Sequence, residues 1–312
     1  MSGAVILVFP GQGSQKPGMA KDLVDAFPRA KEMLQEVDDA LGAPLSRIMF
    51  DGPPDELTAT HNAQPALLAH GAIVWELVKE RVGLPSAAAG HSLGEHTAYH
   101  AAGSTSLADA ARIVRTRGEL MRDAGVKRPG AMAAILGELA SPIEDICRHA
   151  SDAGEVVPAN YNSDVQIVVS GEIAGVERAM ELAKQAGAKR AVRLPVAGAF
   201  HSPLMKPAEN GLREAVASAA FADPVFPVFS NVTTDACATA DCARDTLVRQ
   251  LTSPVRWHDQ VRNMAAAHPD ALWIELGPGN VLTGLISRAV SGARALACGT
   301  PADIDKLFAT LQ

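Results

Sequence analysis

The chain has 312 residues, 47% hydrophobic, 20% charged and only 4% aromatic, with a formal net charge of −7. Such a composition is ordinary for a globular protein of roughly one to three domains, and the acidic balance excludes a surface built as a whole for nucleic acid. No apolar run approaches the roughly 20 residues that span a bilayer. The opening AVILVFP lacks a basic flank and runs directly into GQGSQ, so it reads as a first strand and not as a signal peptide. Cys147, Cys237, Cys242 and Cys298 form no CxxC pair. Neither a disulfide framework nor a structural zinc site is expected, and a reducing cytoplasm fits.

In chain order, short apolar runs alternate with amphipathic stretches, the grammar of an α/β fold. Ala4–Phe9 reads as a buried parallel strand. Helices follow over Ala20–Leu41 and Pro65–Val82, then a small-residue strand at Ser86–Ala89 and a long helix over Leu107–Ala124. The segment Val126–Pro129 marks a boundary, after which the pattern changes. Strands are expected at Ala131–Gly137, Val156–Asn160, Gln166–Ser170 and Arg190–Leu194, with helices at Ser141–Ala150 and Ile173–Ala186. That order, β-α-β-β-α-β, is a ferredoxin-like unit. Beyond Pro195 the earlier style returns, with strands at Pro224–Phe229 and Leu272–Leu276 and a helix at Ala243–Gln250. The expectation is a large α/β domain, 1–127 and 198–312, interrupted by a small ferredoxin-like α+β domain, 128–197. A junction of that kind is a natural substrate cleft.

Gly90-His91-Ser92-Leu93-Gly94 has the form G-x-S-x-G, a strand-to-helix turn that exposes a serine hydroxyl at a helix N-terminus. Free N–H groups there, that of Leu93 among them, can hold an oxyanion. Pro10-Gly11-Gln12-Gly13-Ser14-Gln15 lacks the third glycine of a dinucleotide fingerprint and the GK[ST] of a phosphate loop. It reads as a glycine turn exposing further backbone N–H groups. On a helical wheel, Arg117 falls on the apolar face with Ala110, Val114 and Met121, whereas Arg112, Arg115 and Arg122 point elsewhere. A guanidinium buried there calls for an anion, either an internal carboxylate or a ligand. Asn160 and Asn162 are either ligands for a substrate or turn caps. His96 and His100 lie one helical turn apart, but no acidic or cysteine partner is in register, so no metal is expected.

Together, PGQGSQ, GHSLGE, Ala199-Phe200-His201-Ser202, Asn160-Tyr161-Asn162-Ser163, Val248-Arg249-Gln250-Leu251 and Glu275-Leu276-Gly277-Pro278-Gly279 resemble, in order, the malonyl-CoA:acyl carrier protein transacylase family. The resemblance runs over essentially the whole chain. It implies a large α/β-hydrolase-like domain with a parallel sheet, and a Ser–His dyad in which Ser92 is the nucleophile and His201 the general base. It also implies that the backbone carbonyl of Gln250 orients the imidazole and that the backbone N–H groups of Gln12 and Leu93 form the oxyanion hole. Arg117 matches the arginine that clamps the malonyl carboxylate, and His91 a position that supports the site. The implied reaction is ping-pong malonyl transfer from malonyl-CoA to the phosphopantetheine thiol of acyl carrier protein, in fatty acid synthesis, by a cytoplasmic monomer. No cofactor, metal, nucleic acid or membrane is implied. For the acidic carrier, the densest basic cluster is Lys184, Lys189, Arg190 and Arg193, of which Lys189 and Arg190 are the candidates for docking. A second cluster is Arg122, Lys127 and Arg128. The competing readings are a stand-alone malonyl acyltransferase serving a polyketide synthase and an α/β-hydrolase thioesterase.

Overall fold

The computed structural model describes residues 3–196 and 198–312. Met1, where the first expected domain starts, and Ala197, where the small one is expected to end, lie outside them. The strands are β1 (Val5–Phe9), β2 (Ala87–Gly90), β3 (Gly130–Leu136), β4 (Val156–Ser163), β5 (Gln166–Glu172), β6 (Arg190–Arg193), β7 (Val228–Phe229), β8 (Ala236–Cys237), β9 (Leu272–Leu276) and β10 (Arg294–Cys298).

Six strands form one sheet in the order β10-β9-β1-β2-β7-β8, parallel except for the antiparallel edge strand β8. Every residue of β1 is buried because both faces of the sheet are covered. Leu7 and Phe9 pack with helices Pro28–Leu41 and Thr60–Val82. Ile6 and Val8 point the other way, into Trp257, Val261 and Ile286 of helices Trp257–Ala267 and Val281–Ala289. That alternation is the period-2 pattern of a strand covered on both sides.

The second sheet has the order β4-β5-β3-β6 and is wholly antiparallel. Numbered within the expected ferredoxin-like unit, this is the strand order 2-3-1-4 around two helices, Ile143–Ala150 and Ile173–Gln185. Ala131, Ala133 and Ile135 face those helices. Met132 faces the opposite way and packs with Ile113, Met121 and Phe200. The small sheet thus lays one face directly on the element that carries Arg117. Backbone pairing adds to this contact: Tyr161 N–H donates to Val255 O at 2.9 Å, and Val255 N–H to Ala159 O at 2.8 Å.

Several expectations shift. The helix expected over Ala20–Leu41 breaks into Lys21–Ala26 and Pro28–Leu41, because Phe27 before a proline goes extended. The strand expected over Val156–Asn160 runs on to Ser163, so Asn162 too lies in β4 and not in a turn. The strand expected at Pro224–Phe229 shrinks to two residues. Cys237 and Cys242 form a disulfide, contrary to the expectation. The chain leaves β8 and turns at once into the helix Ala240–Arg249, whose first turn brings the two Cα atoms to 5.7 Å. Cys147 and Cys298 are free and buried.

Candidate active site

The site stands where β1 and β2 end, at the C-terminal edge of the parallel strands. Ser92 caps the helix Leu93–Ala101 with φ 51° and ψ −105°, a strained conformation for a residue bearing a side chain. The flanking glycines make it possible. A Cβ on Gly90 would collide with the backbone of Gly94, and one on Gly94 with the carbonyl of Phe9. Asn231 braces the turn from outside: its Nδ2 donates to Gly90 O and its Oδ1 accepts from Ser92 N–H, both at 2.7 Å.

His201, itself at φ 57°, comes from the segment that follows the small sheet. Its Nε2 lies 2.7 Å from Ser92 Oγ. Its Nδ1 faces two backbone carbonyls, Gln250 O at 2.9 Å and Ser253 O at 3.1 Å. Two acceptors fix the proton on Nδ1 and leave Nε2 as the lone-pair side facing the serine. Burial, and after it the Arg117 charge, pushes the imidazole pKa down to about 3, so it is a neutral base.

Arg117 is only 1% exposed on the apolar face of the helix Leu107–Lys127. Nη1 donates to Gln64 Oε1 at 2.7 Å, while Nη2 donates to Gln250 Oε1 at 2.9 Å and to Ser92 Oγ at 3.1 Å. These acceptors are all neutral, and Nε has no partner. A buried guanidinium held in this way retains unspent capacity for an anion. Burial brings its pKa down to about 10, which still leaves it charged.

A cavity of about 370 Å³ opens onto Ser92, His201 and Arg117. Gln12 and Leu93 line it, and their backbone N–H groups have no acceptor among the described residues. Leu93 is the first residue of its helix, so no intrahelical carbonyl is available to it. His91 also lines the cavity, with its Nε2 2.8 Å from Asn162 Oδ1 and its ring 5.7 Å from that of Trp257. Asn160 lines it as well; Asn162 stands behind His91. Met132, Leu194 and Phe200 close the apolar side, so the small sheet forms one wall.

Four partners escape sequence reasoning: Gln64, Asn231, Glu95 and Ser253. Asn231 and Gln64 lie in segments whose pattern carries no motif, and Ser253 acts through its backbone. Glu95 closes GHSLGE and was legible as part of that string only. Conversely, His100 serves as a local cap, with Nδ1 3.0 Å from Thr105 O. Among the described residues no group of three His, Cys, Asp or Glu is placed to hold a metal ion.

Of the basic residues, Arg193 pairs with Glu177 at 3.6 Å, Arg128 with both Glu155 and Glu172 at 3.0 Å, and Arg122 with Asp123 at 2.8 Å. Lys189 and Arg190 make no ion pair among the described residues. Arg190 stands at the start of β6, four residues before Leu194 at the cavity, a distance of about 13 Å along a strand.

The model of the acyl transferase domain family matches residues 6–300. The chain belongs to this family. Similar to this acyl transferase is the malonyl CoA-acyl carrier protein transacylase of Bacillus subtilis (strain 168), 43% identical over 309 residues, covering 99% of this chain and 97% of the relative. Among solved structures, an acyl carrier protein S-malonyltransferase from Vibrio cholerae is 40% identical, with a TM-score of 0.93 over 97% of this chain and 99% of the other. A complex of a type II PKS acyl-carrier protein with its malonyl-transacylase is also 40% identical, with a TM-score of 0.93 over 98% and 99%. Among the described residues no helix of this acyl transferase is long and apolar enough to cross a membrane.

Proposed function

We propose that the chain is a malonyl-CoA:acyl carrier protein transacylase of fatty acid synthesis, working by ping-pong transfer through a malonyl ester on Ser92. The observation that carries this reading is Arg117, whose buried Nη2 stands 3.1 Å from the Ser92 hydroxyl with neutral partners only. A free substrate carboxylate beside the reacting carbonyl is what such a guanidinium can receive, and an acetyl group would leave it unmet. A hydrolase of the same elbow would gain nothing from that charge.

In this reading His201 Nε2 takes the Ser92 proton as Oγ bonds to the thioester carbon, and the oxygen charge is held by Gln12 and Leu93 N–H. The carbon–sulfur bond breaks, and the CoA sulfur leaves with the proton from His201. The carrier's phosphopantetheine thiol then gives its proton to His201, attacks the ester and returns the hydroxyl to Ser92. The malonyl carboxylate, by offsetting Arg117, also removes one cause of the weakened imidazole, so the base strengthens when the correct acyl group is bound. Gln250 O holds the ring, His91 and Asn162 shape the wall, and Asn160 faces the acyl or pantetheine arm. No metal or cofactor takes part.

The same reading makes residues 128–197 a small domain inserted between 1–127 and 198–312. It takes the enzyme to be a cytoplasmic monomer. Acyl carrier protein is the acceptor, docked by Lys189 and Arg190, of which Arg190 lies about 13 Å along the strand from Leu194 at the cavity. The type II PKS complex among its structural neighbours supports a carrier as partner.

Intact-protein mass spectrometry after brief exposure to malonyl-CoA tests this. A malonyl adduct on Ser92 that leaves on addition of carrier protein is expected. An adduct that hydrolyses equally fast without carrier would sink the reading. Charge reversal at Lys189 and Arg190 should raise the carrier KM and leave that of malonyl-CoA unchanged; an unchanged carrier KM removes the docking assignment.

A further inference from the structure

Glu95 is a fully buried carboxyl that the steps above leave unused. It lies on the first turn of the helix Leu93–Ala101, and its Oε2 accepts from Asn231 N–H at 3.0 Å and from Gln250 Nε2 at 2.7 Å. Those two residues hold the rest of the site together. Asn231 braces the elbow, while Gln250 receives Arg117 Nη2 on Oε1, reaches Ser92 O with Nε2 at 3.0 Å, and orients His201 with its carbonyl. The other carboxyl oxygen, Oε1, has no hydrogen-bond partner. One oxygen is therefore committed to donors, and the other is free to carry a proton.

The charges around Glu95 are few. From the helix Leu107–Lys127 comes Arg117; Tyr99, on its own helix, is a phenol that burial and Glu95 keep neutral. His201, from the segment after the small sheet, is held neutral, and His96 on its own helix likewise. The segments at 230–231, 246–250 and 260 bring Ser230, Asn231, Thr246, Gln250 and Gln260, all uncharged. Among the described residues the one carboxylate whose field reaches Arg117 is that of Glu95, relayed by the Gln250 amide.

We propose that Glu95 is a positioning residue: it is the counter-charge of Arg117 in the empty cavity, and it takes up a proton when a substrate carboxylate reaches the guanidinium. The inference rests on the malonyl reading of the site. One buried guanidinium balances one carboxylate, and a second carboxylate beside it leaves excess negative charge in a medium that solvates it poorly. A proton on Oε1 restores the balance while Oε2 keeps both of its donors, so the brace on Ser92 and Gln250 survives the change of charge. Burial already raises the Glu95 pKa to about 7, close to the pH at which the proton is needed.

The sign follows. Above about pH 7 the empty site is ionised at Glu95 and the malonyl-bound site is protonated, so malonyl-CoA binds with proton uptake. Its affinity then falls with rising pH by up to about tenfold per unit. Acetyl-CoA, with no carboxylate, shows no such slope.

The test uses the Ser92→Ala chain, which cannot be acylated, titrated with malonyl-CoA by calorimetry at pH 8 in two buffers of different ionisation enthalpy. Proton uptake is expected, and Glu95→Gln in the same background abolishes it. No uptake, or uptake that persists in the Glu95→Gln chain, overturns the proposal. Should that variant not fold, infrared difference spectra of the Ser92→Ala chain decide, with malonyl-CoA labelled with carbon-13 at its carboxylate to separate the two carboxyl groups. A protonated-carboxyl band from the protein that appears with malonyl-CoA and not with acetyl-CoA is expected; its absence overturns the proposal. Binding is read here and not transfer, so a negative result leaves the Ser92 ester standing, and failure of that ester is seen separately as a missing adduct.

Discussion

Arg117 Nη2 lies 3.1 Å from Ser92 Oγ, so the guanidinium proposed to receive the acyl carboxylate also touches the proposed nucleophile. The charge favours the serine alkoxide and weakens His201 as a base at the same time. In the proposed mechanism, substrate selection and proton transfer are thereby tied to one guanidinium.

Replacing Arg117 by Met should cost both activity and stability. Malonyl transfer should fall by at least ~30-fold, matching about 2 kcal/mol for a buried charged partner removed, while acetyl transfer loses less. The unfolding midpoint should fall at pH 8, because removing one partner leaves the buried Glu95 carboxylate without its counter-charge and Gln64 Oε1 and Gln250 Oε1 without this donor, a loss of up to ~3–5 kcal/mol. A variant that keeps malonyl transfer would remove the carboxylate clamp, and one that keeps its midpoint at pH 8 would show that Glu95 is not balanced by Arg117.

The pH profile of kcat/KM for malonyl-CoA should show no acid limb near 6.5, the ordinary imidazole value. His201 has its pKa lowered by burial and Arg117, so the base stays neutral as pH falls through that range. Activity measured from pH 4 to 7 should stay level to below about 5. An inflection near 6.5 that vanishes in His201→Ala would contradict the assignment.

Gly94→Ala places a Cβ against the Phe9 carbonyl and should cost at least about 1–3 kcal/mol as overpacking. Thermal unfolding should drop by several degrees. Gly13→Ala, at φ 107° with open space around the new carbon, tests strain without a clash and should cost less.

His70 gives a stability prediction away from the chemistry. It is 3% exposed, its Nε2 lies 2.8 Å from Gly299 O, and burial lowers its pKa to about 4. A group whose folded pKa is depressed contributes stability above its unfolded value near 6.5 and loses it as pH falls towards 4. His70→Gln keeps a donor for Gly299 and removes the titration. The difference in stability between pH 7 and pH 5, read from the unfolding midpoints, should therefore shrink by up to about 2 kcal/mol. An unchanged difference would place the acid sensitivity elsewhere.

What the sequence disclosed followed from strong local constraints. The glycines around Ser92 and the wheel position of Arg117 are legible because sterics and burial permit few alternatives. The ferredoxin-like order was readable from alternating runs, and the strand pairing agrees with it. Asn231 and Gln64 were invisible because their roles depend on which distant element each meets, Gly90 for one and Arg117 for the other. The orientation of His201 by Ser253 is a backbone contact and leaves no side-chain signature. The turn reading of Asn162 fails because pairing of β4 with β5 overrides the preference of asparagine for turns.

The backbone bonds between β4 and Val255 have a mechanical consequence. Val255 follows Ser253 by two residues, on the same stretch whose carbonyls steer the His201 ring. Swinging the small sheet outward would pull that stretch with it and turn the imidazole away from the serine. The cavity therefore cannot admit its reactants by gaping. A slender arm must thread into a slot of fixed width, with the bulky body it hangs from left outside.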